Sequence, residues 1–184
     1  MRRWIPLLPV VTLALLTACS PTRSGDALAA AEHLAAAEQT QLPPAACAVT
    51  QPPDPPFTPP NPYEAPLQGE FWFGSPELWT SLPLDEAWRD LPHNQGGYAQ
   101  KVFWWRQGYD WSAEPEPALT VAGKRLDGEA PPLVASKATN AYAADIGSAM
   151  LVGVDIPTAG CWEITGQYGE QELSFVVQVI SPDP

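Results

Sequence analysis

The chain has 184 residues, 45% of them hydrophobic and 16% charged, which leaves room for one packed domain with an appendage and excludes a large multidomain assembly. Nine lysines and arginines stand against 21 aspartates and glutamates, a net charge of −12, so the surface repels phosphate backbones and no nucleic-acid partner is expected. The 23 prolines exceed what a packed domain uses and predict an extended segment.

Residues 1–18 read as a secretory signal peptide. Arg2 and Arg3 precede an apolar run from Trp4 to Leu16, shorter than the roughly 20 residues of a membrane-spanning helix. The run ends in Leu16-Thr17-Ala18-Cys19, a leucine and two small residues before a cysteine. This ending resembles the bacterial lipobox, which implies cleavage before Cys19, acylation of its sulfur, and a mature protein lipid-anchored to the cell membrane outside the cytoplasm. An ordinary signal with a chance cysteine is the alternative, and the flanks of Arg2-Arg3 do not match a twin-arginine signal. Two acyl chains suffice for lasting attachment to a bilayer. Cleavage also removes Arg2 and Arg3, leaving 7 cations against 21 anions, a net of −14.

With Cys19 assigned to lipid, Cys47 and Cys161 remain. In an oxidising compartment they most simply pair, two free thiols being the alternative. Residues 19–46 read as a lipidated, Ala-rich tether. Its stretch from Asp26 to Gln39 favours helix, but the apolar stripe of Leu28 and Leu34 is too thin to pack. Pro43-Pro44 ends it. Residues 47–66 hold eight prolines and predict a stiff polyproline arm that can lie across a surface at little entropic cost.

Residues 67–184 are β in texture. Short apolar or alternating runs (EFWFG, ELWTSL, QKVFWWR, ALTVAGKRL, PPLVASKA, SAMLVGVDI, GCWEITGQY, ELSFVVQVI) are broken by turn residues, as in a sandwich or barrel. Residues 136–150 read as an irregular loop in which Tyr142 and Asp145 are binding groups or plain turn residues. Gly169-Glu170 fits a two-residue type II′ turn between the last two strands. In the second of these, Leu173, Phe175, Val177 and Val179 share one face, and Val176 stands out on the polar side.

The run Ile156, Pro157, Gly160, Trp162, Ile164 resembles the last hairpin of many immunoglobulin-like domains, with Trp162 where a tyrosine is common. The expected fold is therefore all-β, an immunoglobulin-like β-sandwich of about seven to eight strands. Cys161, beside Trp162 on the opposite face, departs from the usual inter-sheet disulfide of that fold. The segments CAVT, LWTSLP, FWWR, GKRLDGEAPPL and PTAGCWEITG also resemble a family of uncharacterised bacterial lipoproteins, over roughly Cys47 to Val179. That resemblance implies a Cys47–Cys161 pair and an extracytoplasmic β domain, and no activity.

The densest feature is KVFWWRQGYDW, residues 101–111. On a strand, Phe103 and Trp105 face one way, and Val102 and Trp104 the other. One core cannot hold both indoles, so one of them needs a separate cover or stays exposed. Three covers are open: the arm over 52–66, a glycan bonded by Asp110, Glu114, Asn94 and Gln95, or an envelope protein. Trp72, Trp104, Trp105, Tyr109 and Trp111 form the candidate binding surface. No catalytic set, metal site or cofactor is expected. His93 is alone outside the tether, no spaced His/Cys set exists, and Asp85-Glu86 and Glu114-Glu116 read as solvated carboxylates. The expectation is a non-catalytic binding or structural module of the cell envelope. Carbohydrate binding on a tryptophan face and a carboxylate enzyme are the alternatives.

Overall fold

The computed structural model describes residues 46–60 and 65–181. The signal peptide, Cys19 and all of the tether but Ala46 lie outside the described residues.

Eleven strands and no helix are assigned among the described residues. One sheet runs β1 (Glu70–Ser75), β2 (Leu78–Pro83), β5 (Gly97–Trp105), β9 (Gly147–Ile156). Beyond β9, β7 (Val134–Ala135) and β8 (Thr139–Ala143) pair with successive stretches of it, while β4 (His93–Asn94) folds back on β5. The second sheet runs β3 (Ala87–Trp88), β11 (Gln171–Val179), β10 (Gly160–Tyr168), β6 (Leu119–Arg125). All pairings are antiparallel except β3 with β11. The result is an all-β two-sheet sandwich.

The strand number exceeds the seven to eight expected because the chain between the long strands makes short pairings, two residues each in β3, β4 and β7. Residues 136–150 are also corrected. They carry β8, whose TNAYA sequence has no apolar alternation but pairs with β9 from Thr139↔Leu151 to Ala143↔Gly147. Backbone pairing to a strong neighbour overrides weak strand propensity here.

The inter-sheet core takes Val102, Trp104, Met150, Val152, Val154 and Ile156 from the first sheet. From the second come Trp88, Leu119, Trp162, Ile164, Phe175, Val177 and Val179. Trp104 is fully buried and its ring lies 5.8 Å from Phe175. A Cβ at Gly166 would collide with the six-membered ring of Trp104, so only glycine lets β10 pass beneath it. Gly169 has φ 60° while Glu170 stays at negative φ, the type II′ pattern expected of the β10–β11 hairpin.

Strand alternation splits three pairs of large neighbours. Phe71, Leu78 and Trp104 enter the inter-sheet core, whereas Trp72, Trp79 and Trp105 point to the outer face of the first sheet. There they form a second apolar cluster with Ala149. Trp72 meets Trp105 edge-to-face at 5.0 Å, and Trp105 donates its indole N–H to the Ile146 carbonyl at 2.8 Å. Between β2 and β5, fully buried Thr80 satisfies its hydroxyl on the Phe103 carbonyl at 2.8 Å.

The proline-rich arm covers this outer cluster. Cys47 is disulfide-bonded to Cys161 at the start of β10, with Cα atoms 5.4 Å apart. Thr50 then exchanges hydrogen bonds with the backbone of Val176 on β11 (N–H to carbonyl 2.9 Å, hydroxyl from N–H 2.8 Å). Gln51 donates to Glu86, and the Phe57 ring sits edge-on to Trp79 at 6.2 Å. The arm thus starts on one sheet and reaches the outer face of the other at Phe57. Phe57, a phenylalanine among the prolines, makes the ring contact with the cluster, and Pro59 beside it is buried.

The disulfide closes a loop of 114 residues, which in the chain-entropy description contributes about 4–5 kcal/mol. The Cys47→Ala/Cys161→Ala double variant should therefore lose stability of that order, seen as a lower urea midpoint. A stability loss below about 1 kcal/mol, taken from the midpoint and slope of that transition, would show that the arm needs no covalent tie.

Candidate functional site

The five residues of the candidate surface do not come together in solvent. Trp104 and Trp105 are 0% exposed, and Trp72 and Tyr109 are 7% exposed. Their expected role as an open ligand surface is corrected by packing: Trp104 belongs to the inter-sheet core, and Trp72 and Trp105 lie in the cluster that Phe57 and Ile146 pack against. Trp111 alone remains open, at 40%.

Trp111 has a partner that the sequence left undecided. Its ring stacks on Tyr142 of β8, centroids 5.5 Å apart and planes inclined by 24°. Tyr142 is 60% exposed. The loop that carries Trp111 is fixed at several points. Asp110 accepts from the N–H and hydroxyl of Ser112 at 2.9 and 2.8 Å, and Ala113 N–H returns to the Asp110 carbonyl. Asn140 of β8 donates its amide to the Trp111 carbonyl at 2.6 Å, and its backbone N–H bonds Pro115.

Behind this loop lies a polar cluster. Tyr109 donates its hydroxyl to the Glu114 carbonyl at 3.0 Å, and Tyr168 donates to the Glu114 carboxylate at 2.7 Å. Arg106 reaches the Tyr168 hydroxyl at 3.4 Å, with its guanidinium 5.1 Å from the ring centre. Burial, then the negative charge of Glu114, pushes the Tyr109 phenol up to about 12. Burial and the bond to Glu114 also raise Tyr168. Both phenols stay protonated donors at neutral pH, which holds the loop against the sandwich. A groove of about 520 Å³ lined by Glu77, Arg106, Gln107 and Tyr168 opens beside them.

The other polar groups considered for a ligand lie elsewhere or are occupied. Asn94 bonds Asp155, beside the β4–β5 turn at the opposite end of β5 from Trp105. Gln95 is exposed in that turn, and exposed His93 packs its ring 4.9 Å from Tyr98. Asp85 pairs with Arg89 at 3.1 Å, Glu86 accepts from Gln51, and Glu116 pairs with Lys137. Among the described residues, no group of three or more His, Cys, Asp or Glu is placed to hold a metal ion, and no helix is long and apolar enough to cross a membrane.

Comparison of the chain with protein families, with curated proteins and with solved structures returned no match to any of the three.

The Tyr109 geometry has a measurable consequence. Its phenol is higher in the folded than in the unfolded state, where tyrosine titrates near ~10. The resulting stabilisation is complete below that unfolded value and is lost as pH rises through about 12. Alkaline titration followed by phenolate absorbance should show a late step that loses the Tyr109 share of its amplitude in Tyr109→Phe. A variant with an unchanged late step would contradict the assignment.

Proposed function

We propose that this protein is a membrane-anchored extracytoplasmic lipoprotein whose folded part is a non-catalytic binding or structural module of the cell envelope. Cys19 carries the lipid, residues 20–46 span from the membrane, and the sandwich is displayed at the end of that tether. The observation that carries the reading is the Cys47–Cys161 disulfide, a bond that persists in oxidising compartments outside the cytoplasm. It accords with the signal-like N-terminus and with the resemblance to bacterial lipoproteins. The carboxylates that would serve an enzyme are instead engaged with Arg89, Gln51, Tyr168 and Lys137, which favours a non-catalytic role.

The domain is read as immunoglobulin-like. The order β2-β5-β9-β8 corresponds to strands A-B-E-D of that fold, and β6-β10-β11 to C-F-G. β3, parallel to β11, then continues strand A after it crosses to the second sheet, and β1 is an addition at the edge. Such a scaffold hosts many functions, so the role is argued from its surface.

The anchor is tested in cells. The wild-type chain should incorporate radiolabelled palmitate and partition with membranes. Cys19→Ala should lose the label and appear in the soluble fraction. Equal membrane partition without label would overturn the lipid anchor.

A further inference from the structure

We propose that Trp111 and Tyr142 form the binding platform for a neutral glycan, through the axial C–H face of a pyranose with equatorial hydroxyls. This deepens the binding-module reading and names its ligand class.

Three observations carry it. Of the seven tryptophans among the described residues, six are at most 7% exposed, and Trp111 at 40% is the exception. The Trp111–Tyr142 centroid distance of 5.5 Å exceeds the roughly 3.5–4.0 Å of full overlap, so the rings are offset and each keeps open surface. The backbone that carries Trp111 is also tied down, by Asn140 on the Trp111 carbonyl and by Glu114 between Tyr109 and Tyr168. A preorganised ring loses little freedom when a ligand arrives.

The surroundings select the ligand. Among the described residues, the other exposed large apolar side chains are Leu67, Leu84, Leu126 and Val134. Strand register separates the last three from the platform. Val134 pairs with Asp155, whereas Tyr142 pairs with Ser148 at the far end of the same strand. Leu126 follows the end of β6 opposite Leu119, and Leu84 follows the end of β2 opposite Trp79. The aromatic pair is therefore an island set apart from those three, whereas a stable protein partner needs about 1,200 Å² or more of buried surface around its hot spot. A sugar fits an island, with apolar C–H groups on one face and hydroxyls around its edge. Exposed Asp110, Ser112 and Asp145 flank the two rings in sequence as groups for those hydroxyls, and the Tyr142 hydroxyl makes no hydrogen bond among the described residues. The same carboxylates and the chain's net charge of −12 repel anionic sugars.

The test uses the full chain purified in a non-glycosidic detergent. Cellotetraose and N-acetylchitotetraose are the neutral probes and tetragalacturonate the anionic one, followed by saturation-transfer NMR and tryptophan fluorescence. At least one neutral probe should receive saturation at its axial ring protons and shift the tryptophan emission, and tetragalacturonate should do neither. Trp111→Ala and Tyr142→Ala should each weaken binding by about tenfold with unchanged melting temperature, and Trp111→Phe should recover part of it. Absence of transfer to both neutral probes, equal binding by Trp111→Ala, or binding of tetragalacturonate as strong as that of the neutral probes would overturn the proposal. Neutral-glycan binding by a chain whose Cys19→Ala variant stays on membranes would sink the anchor and leave the platform standing.

Discussion

Successive side chains on a strand point to opposite faces, and this chain places large apolar residues at adjacent positions on three neighbouring strands. Phe71/Trp72, Leu78/Trp79 and Trp104/Trp105 each divide between the two faces of one sheet. Fully burying a large side chain is worth roughly 1.5–3 kcal/mol, so leaving three indoles on an open outer face would forfeit a large part of a domain's stability. The outer face therefore needs its own cover. The proline-rich arm provides one through Phe57, and the turn at Ile146 provides another. The disulfide fixes where the arm starts, and Thr50 fixes its path along β11.

This arrangement makes the arm part of the fold and separates structural from available tryptophans. Among the described residues, six indoles are consumed by packing, which removes the flat surface that a run such as FWWR suggests. What remains is Trp111, in the loop after β5, where no second sheet face covers it. Its neighbour Tyr142 comes from β8, the strand that pairs beyond β9. The Trp111–Tyr142 pair thus lies where the two sheets end, on a loop held by Asp110, Glu114 and Asn140.

Much of the fold was legible in the sequence. The last hairpin could be read residue by residue because Trp162, Ile164, Phe175, Val177 and Val179 alternate strictly and Gly169 punctuates them. The Cys47–Cys161 bond followed from counting cysteines once Cys19 was set aside. The opposed directions of Trp104 and Trp105 followed from strand geometry alone, and the arm was among the covers considered. Three things were not legible. β8 has no hydrophobic alternation, and only its pairing with β9 makes it a strand. Which tryptophan stays exposed depends on three-dimensional cover, which residue spacing does not reveal, so the sequence groups Trp72, Trp104, Trp105 and Tyr109 with Trp111. The Trp111–Tyr142 stack joins residues on separate elements, and only the β5–β6 loop docking on Asn140 brings them together.

Hydroxyl-radical footprinting of the native chain, read by mass spectrometry at each tryptophan, tests the two-faced sheet most directly. Rapid oxidation of Trp111 with Trp72, Trp79, Trp104 and Trp105 all protected is the expected result. Oxidation of Trp72, Trp79 and Trp105 as fast as Trp111 would show that the outer face is open and would contradict the role assigned to the arm.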